Sequence, residues 1–382
     1  MKLELKLKDG LKGIQVVKRY FYFALFILFL SCSLNPNSKF WTEQKKISVD
    51  KGVTKILLKD KKESLNEFNQ NFKISLPKNL KSEIFHQHNN DGFINFDLSL
   101  QNVSKYNFRT IKSFSNFEPE ILLDKNYLFY FDSSGSIIKF DQNSNVLWTQ
   151  NHYSKQDKKL QPILFFGTSG ENLFVADSIG NYYVLNKNTG KLKWKKKHTS
   201  SFNSQIKIRN GKIVVVDMEN TLRCFSIKNG EILWSIPTEL TVVSSQKKQS
   251  LIIVNNLVIF SNSIGDLTAV DFINGEIIWQ TPTQVLEIGN NITLRNSDIV
   301  SDGNLIYMSN NKNEFFALDI KTGIIKWKQQ INSEIRPVVI SDYIVSISNE
   351  GLLVILNKND GSIIRINNIL KNIKKKKKKK II

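Results

Sequence analysis

The chain has 382 residues, of which 41% are hydrophobic and 23% are charged, so it carries enough apolar surface to bury a large core. That composition excludes an intrinsically disordered protein, and two cysteines exclude a disulfide scaffold or a four-cysteine zinc site. The formal net charge of +20 is partly concentrated at the two ends, where residues 374–380 are all lysine. It therefore does not indicate a binding stripe for nucleic acid, and we predict no nucleic-acid partner.

The amino terminus has the pattern of a secretory signal. Residues 20–30 form an apolar run after a basic segment, and this run is shorter than the roughly 20 apolar residues of a transmembrane helix. Ser31 and Cys32 follow it as in a bacterial lipobox. We predict a signal peptide over residues 1–31 and lipidation of Cys32, which would attach the protein to a membrane. The alternatives are an ordinary signal peptide, or an uncleaved anchor with an incidental cysteine.

Two segments without repeats follow the signal. Residues 32–80 have no sustained hydrophobic period, and we predict that they form the lipidated amino terminus and a flexible tether, with one short helix near residues 63–68. Residues 81–116 are predicted to be a lead-in. Within the lead-in, residues 107–114 are the candidate for a strand that closes the ring of repeats described next.

One decapeptide recurs six times in the remainder of the chain. The copies are KFDQNSNVLW, LNKNTGKLKW, FSIKNGEILW, VDFINGEIIW, LDIKTGIIKW and LNKNDGSIIR, and their last residues lie 46, 40, 45, 48 and 38 positions apart. Short apolar segments separated by turn residues precede each copy, and this pattern is typical of strands. Four short strands in a repeat of about 43 residues are typical of a propeller blade. We therefore predict an all-β fold, a β-propeller of four-stranded blades over residues 117–370.

The decapeptide also predicts structural roles for two residue types. A tryptophan on the outermost strand can pack against the neighbouring blade while its N–H reaches a backbone acceptor, so we predict that the tryptophans dock each blade on the next. These residues are Trp148, Trp194, Trp234, Trp279 and Trp327. The turn before them needs positive φ, and glycine provides it at Gly190, Gly230, Gly275, Gly323 and Gly361. We place Asn145 in the glycine position of the first copy and Arg365 in the tryptophan position of the last.

The pattern x-D-x-x-T-G-x-x-x-W, clearest in LDIKTGIIKW, resembles the docking motif of quinoprotein-like propellers, which consist of PQQ-like repeats. This group includes quinone-dependent alcohol dehydrogenases and the BamB lipoproteins of the outer-membrane β-barrel assembly machinery. The signal sequence, Cys32, the tether and the repeats together resemble BamB. That resemblance implies a lipid-anchored protein on the periplasmic face of the bacterial outer membrane. It also implies docking on the periplasmic domains of BamA and other Bam components, and assistance to unfolded outer-membrane proteins.

Two other functions remain open at this point. A quinone-dependent dehydrogenase would need an adjacent cysteine pair and calcium ligands, whereas Cys224 stands alone in a predicted strand and no calcium-loop spacing occurs. His86 and His88 could share one strand face, but no third metal ligand lies near them in the sequence. A membrane-attached, ligand-binding propeller would show a pocket on the central axis. We predict a scaffold with no catalytic residue, no metal site and no cofactor.

The carboxyl terminus departs from the family pattern. BamB propellers have eight blades, whereas six repeats can be counted here before a basic tail at residues 371–382. Our hypothesis is that this tail results from a frameshift that removed about two blades. The alternatives are a genuine six-bladed ring, or a basic tail that contacts anionic lipid.

Overall fold

The computed structural model describes residues 65–73, 119–124, 126–239, 247–283 and 295–371. The chain divides into two compact units, residues 1–64 and residues 65–382, and every described residue belongs to the second unit. The predicted signal peptide, Cys32, His86, His88 and residues 107–114 lie outside the described residues. No helix among the described residues is both long enough and apolar enough to cross a membrane.

The described strands form six sheets of four strands each. Blade 1 contains β1 (Leu122–Asp124), β2 (Tyr127–Phe131), β3 (Ile137–Phe140) and β4 (Val146–Gln150). Blade 2 contains β5 (Leu164–Ser169), β6 (Asn172–Asp177), β7 (Asn181–Asn186) and β8 (Leu192–Lys197), and the short helix α1 (Lys155–Lys159) precedes it. Blade 3 contains β9 (Lys207–Arg209), β10 (Lys212–Val216), β11 (Thr221–Ser226) and β12 (Ile232–Pro237).

The remaining three blades repeat this arrangement. Blade 4 contains β13 (Leu251–Val254), β14 (Leu257–Ser261), β15 (Leu267–Asp271) and β16 (Ile277–Thr281). Blade 5 contains β17 (Val300–Ser301), β18 (Leu305–Asn310), β19 (Glu314–Asp319) and β20 (Ile325–Gln329). Blade 6 contains β21 (Val338–Ile340), β22 (Tyr343–Ile347), β23 (Leu352–Asn357) and β24 (Ile363–Asn368).

Every sheet is an antiparallel meander in which sequence order equals spatial order. The first three strands carry mostly buried residues, whereas the fourth strand is the edge and is largely exposed, as a comparison of β6 with β8 shows. In blades 2 to 5, this pattern arises because the β-branched and aromatic side chains of the inner strands are covered on both faces by neighbouring blades. The six sheets confirm the predicted all-β propeller of four-stranded blades.

The hydrophobic core consists of separate clusters between consecutive blades. Five clusters join blades 1 and 2, 2 and 3, 3 and 4, 4 and 5, and 5 and 6. A sixth, smaller cluster lies within blade 1 and contains Leu128, Ile138 and Phe140. No cluster of the described residues joins blade 6 to blade 1. Stability therefore depends on contacts between neighbouring blades, as in other repeat proteins.

A capped turn connects the second and third strands of every blade. In blade 3, the Asp217 carboxylate accepts hydrogen bonds from the backbone N–H groups of Glu219 at 2.9 Å and Thr221 at 3.0 Å. Residues at the equivalent position in the other blades are Asp132, Asp177, Asn262, Asn310 and Ser348. The side-chain oxygen thus accepts hydrogen bonds from backbone N–H groups of the turn that have no carbonyl partner on a neighbouring strand. This position was not predicted from the sequence, although an Asp or Asn four or five residues before the third strand recurs in five copies.

Residues 65–73 lie on the outer strand of blade 6. The backbone of Phe68 exchanges two hydrogen bonds with Ile366 on β24, at 3.1 and 2.9 Å. Residues 65–68 are therefore not helical, and the predicted short helix near residues 63–68 is wrong over this part. Helical propensity is overridden here because the strand edge offers backbone partners to an extended segment.

We predict that Asp217→Ala destabilises the protein by about 3 kcal/mol. The substitution leaves two backbone N–H groups of the turn without an acceptor. It also removes the buried carboxylate that lies 2.6 Å from the Arg223 guanidinium. Asp217→Asn should cost less, since asparagine occupies the same turn position in blades 4 and 5. Urea denaturation followed by circular dichroism measures both. Equal losses for the two variants would show that the turn hydrogen bonds contribute little.

Candidate functional site

The five predicted docking tryptophans all lie on the fourth strand of blades 1 to 5 and contact the blade that follows. Each indole borders the inter-blade cluster on that side. Four indole N–H groups donate to a backbone carbonyl of the next blade. The pairs are Trp148 with Lys187 at 3.3 Å, Trp194 with Ile227 at 2.9 Å, Trp279 with Ile320 at 3.0 Å and Trp327 with Lys358 at 3.1 Å.

Trp234 differs from the other four tryptophans. Its Nε1 is buried and has no hydrogen-bond partner among the described residues, although its ring also borders the core between blades 3 and 4. The equivalent carbonyl, that of Phe272, accepts a long 3.5 Å hydrogen bond from Lys212 Nζ instead. Packing is therefore common to all five indoles, whereas the hydrogen bond is not.

The five turn glycines lie directly beneath these indoles. Their φ values lie between +69° and +82°, in the left-handed region that favours glycine. A Cβ atom on Gly230 would lie 2.6 Å from the Trp194 ring, and one on Gly275 would lie 2.9 Å from the Trp234 ring. Glycine is thus needed twice, for the backbone conformation and for the close approach of the indole. Only the first of these two requirements was predicted from the sequence.

The first and last copies of the decapeptide differ from the rest. In blade 1 the residue with positive φ is Ser144, at +67°, so the placement of Asn145 in the glycine position is wrong by one residue. Asn145 instead donates two hydrogen bonds to Asp141. In blade 6, Arg365 stands in the tryptophan position and donates to the Phe72 carbonyl at 2.7 Å. The series of tryptophan–glycine contacts therefore begins at blade 1 and ends at blade 6.

The fourth strand of every blade contains a β-bulge next to the docking position. In blade 4, Trp279 pairs with Ala269 and Ile277 pairs with Val270, so Ile278 is the extra residue. The register shifts at the same point in the other five blades. Bulges of this kind bend and twist an edge strand. Apolar side chains at these bulges are exposed on the outer strands. About half of the surface of Ile278 and of Leu233 is exposed.

A small polar cavity lies beside the first strands of blades 4 and 5. Its volume is about 20 Å³, enough for a water molecule or a small ion. Lys247, Gln249, Asn262 and Asn296 line it, and burial lowers the pKa of Lys247. This cavity is too small for an organic cofactor such as a quinone.

The remaining candidate residues do not assemble into a reactive site among the described residues. Cys224 on β11 is buried opposite Trp234, and burial raises the pKa of its thiol to about 12. A thiol in this environment stays protonated and acts as a small hydrophobic side chain. No group of three or more His, Cys, Asp or Glu residues in the described ranges could hold a metal ion.

Six meander blades, joined by five contacts between a tryptophan and a turn glycine, define a propeller of the quinoprotein type. The family model for the outer membrane protein assembly factor BamB matches residues 133–367, which is more than half of the chain. The chain therefore belongs to the BamB family.

The chain is also similar to individual proteins and solved structures. BamB of Bordetella pertussis is 28% identical over 156 residues, which cover 41% of this chain and 38% of that protein, so the match spans about two-fifths of the curated relative. The crystal structure of BamB from Moraxella catarrhalis has a TM-score of 0.57 and 17% identity, with 65% of this chain and 75% of that chain covered. Quinohemoprotein alcohol dehydrogenase from Comamonas testosteroni has a TM-score of 0.44 and 13% identity, with 64% and 52% covered.

We predict that Gly230→Ala destabilises blade 3 by about 2–4 kcal/mol, through the positive φ and the overlap with the Trp194 ring. Gly211→Ala in the same blade is the matched control. Its φ is +72° against +69° for Gly230, but an added Cβ would lie 3.8 Å from its nearest neighbour. The control should cost about 1 kcal/mol. Thermal denaturation compares them, and equal losses would mean that close indole approach is unimportant.

We predict that Trp279→Phe costs about 1–2 kcal/mol more than Trp234→Phe, since only Trp279 donates its indole N–H to a carbonyl of the next blade. Both variants lose similar ring volume, so their difference reports on the indole N–H, which has an acceptor in Trp279 and has none among the described residues in Trp234. Urea midpoints measured under identical conditions provide the comparison. A larger loss at Trp234 would contradict the assignment of the acceptors.

Proposed function

We propose that this chain is a non-catalytic scaffold lipoprotein of the outer-membrane β-barrel assembly machinery. In this proposal, lipidated Cys32 holds it at the periplasmic face of the outer membrane. The propeller docks on the periplasmic domains of BamA and other Bam components, and it assists the delivery and insertion of unfolded outer-membrane proteins. The observation that carries the proposal is the match of residues 133–367 to the BamB family.

The geometry supports a platform role. Each blade is fixed to the next by a buried cluster and an indole contact, so relative movement of the blades would expose apolar surface at a cost of several kcal/mol. We propose that the five docking tryptophans and the five turn glycines serve this rigidity rather than ligand binding. A rigid rim can present several partner sites at fixed separations, which a scaffold requires.

The outer strands support partner binding. Exposed apolar side chains on the fourth strands, such as Ile232, Leu233, Ile277 and Ile278, are each about half exposed. A strand edge with apolar side chains and backbone groups directed outward is suited to pairing with another extended chain. This surface, together with family membership, favours protein partners over a small-molecule substrate.

We expect an affinity-tagged chain, extracted with mild detergent from envelopes of the cells that make it, to co-purify with BamA. An eluate that retains other Bam components but lacks BamA would contradict the proposal. Cys32→Ala should abolish incorporation of labelled palmitate into the protein, because the acylated residue is lost. Cys224→Ala is the matched control and should retain the label, since Cys224 is buried.

A dehydrogenase would behave differently in the same preparation. If the chain is a scaffold, the purified protein supplied with calcium and a quinone cofactor should show no dye-linked oxidation of alcohols. Activity that follows the tagged protein through purification would support the enzyme alternative instead.

A further inference from the structure

The outer strand of blade 2 carries more positive charge than the outer strand of any other described blade. The sequence of β8 is LKWKKK, with four lysines, whereas β4, β12 and β16 contain no charged residue. Residues 151–200, which include blade 2, contain nine lysines, no arginine and three acidic residues. Residues 251–300, which include most of blades 4 and its link to blade 5, contain five acidic residues, one arginine and no lysine. The charge of the propeller is therefore unevenly distributed among its blades.

The lysines on the outer strand of blade 5 are neutralised by acidic residues. Lys326 on β20 lies 3.4 Å from Asp319, and Lys328 lies 3.1 Å from Glu314. Both acids belong to β19, the third strand of the same blade. Ion pairs within one blade thus compensate the charge of this edge, and blade 5 provides a reference for blade 2.

Blade 2 has lysines at the same positions but lacks the acids. The register of the third and fourth strands aligns Lys193 and Lys195 on β8 with the two lysines of β20. It places Asn186 and Asn181 where blade 5 has its aspartate and its glutamate. No lysine of β8 forms an ion pair with an acidic residue in the described part of the chain. The positive charge of this strand is therefore not neutralised within its blade.

Helix α1 adds three more lysines beside this strand. Lys195 Nζ donates to the carbonyl of His152 at 2.7 Å and lies 4.9 Å from the centre of the Tyr153 ring, just before the helix begins. The sequence of α1 is KQDKK, and none of its residues is buried. Its lysines likewise have no ion pair with a described acidic residue. We call the three lysines of α1 and the four lysines of β8 the basic edge.

Exposed leucines accompany the basic edge. Leu160, which follows α1, is 63% exposed, and Leu192, which begins β8, is 43% exposed. Lysines beside exposed apolar side chains are typical of surfaces that meet a membrane, because the apolar group enters the acyl boundary while the ammonium groups stay with the phosphates. Lysine also binds phosphate as a point charge and, unlike arginine, needs no fixed geometry. An irregular array of lipid headgroups therefore fits this edge better than a folded acidic protein does.

We propose that the basic edge contacts the phosphate groups of an anionic lipid surface and orients the propeller with blade 2 towards the membrane. This inference rests on the proposed function, which holds the chain at a membrane through one lipidated residue. A single anchor fixes the distance of the chain from the membrane but not its orientation. Contact through the basic edge selects one orientation, and it leaves the outer strands of the other blades accessible to protein partners.

Acetylation of lysines in the full chain tests this contact. The chain is anchored in vesicles of phosphatidylcholine, with or without phosphatidylglycerol, and is treated briefly with acetic anhydride before peptide mass spectrometry. We expect Lys159 and Lys197 to react at least about tenfold more slowly on the vesicles that contain phosphatidylglycerol, because headgroup phosphates cover them. Lys326 and Lys328, whose side chains are about half exposed, are the internal reference and should react equally on both. Equal rates on both vesicles for all four lysines would overturn the proposal.

Two double variants provide a matched comparison. Lys196→Gln/Lys197→Gln removes two charges from the basic edge, and Lys326→Gln/Lys328→Gln removes two charges from β20. In the first variant, the slowing of Lys159 by phosphatidylglycerol should fall to less than about threefold, whereas the second should retain the full effect. Melting temperatures show that both variants are folded. An equal loss in the two variants would contradict the proposal, because it would be a response to net charge alone.

Further measurements identify the source of the anion. Inorganic phosphate added to the chain in detergent should not protect Lys159 or Lys197, and protection by phosphate alone would overturn a lipid contact in favour of a free anion. Protection that requires BamA and is equal on both kinds of vesicle would overturn it in favour of an acidic protein surface. A chain that co-purifies with BamA but reacts equally on both vesicles contradicts this inference alone, whereas failure to co-purify with BamA contradicts the proposed function.

Discussion

The contact between a tryptophan ring and the turn glycine of the next blade determines the rest of this structure. The indole can approach the turn only because glycine has no Cβ, and the approach aligns the indole N–H with a backbone carbonyl in four of the five contacts. The same ring covers the cluster between the two blades. One contact thus couples turn conformation, hydrogen bonding and hydrophobic burial, and its repetition produces a stack of blades from a short sequence motif.

The two ends of the series are consistent with this view. Ser144, at a φ of +67°, replaces glycine in the first blade. Arg365 replaces tryptophan in the last blade, where its guanidinium donates to the Phe72 carbonyl. Within the described residues, the motif is therefore complete in blades 2 to 5 and incomplete in the first and last blades.

The period of the decapeptide was sufficient to predict the all-β propeller and its six described blades, because tryptophan and glycine recur in register. The capped turns at Asp217 and its equivalents were missed, since Asp, Asn and Ser interchange there and conceal the repeat. Position 144 was misplaced by one residue because asparagine also tolerates positive φ. The pairing of residues 65–73 with blade 6 could not be predicted, because Ile366, the partner of Phe68, is about 300 positions away and the segment shows no strand period.

Hydrogen exchange of the indole N–H protons, followed by heteronuclear NMR on the full chain, tests whether the tryptophans dock each blade on the next. We predict slow exchange for Trp279, which is buried and donates to Ile320, and slowed exchange for Trp148, Trp194 and Trp327. Trp234 serves as the internal reference, with faster exchange, because its indole has no acceptor among the described residues. Exchange of all five protons at the rate of a free indole would contradict docking by these tryptophans.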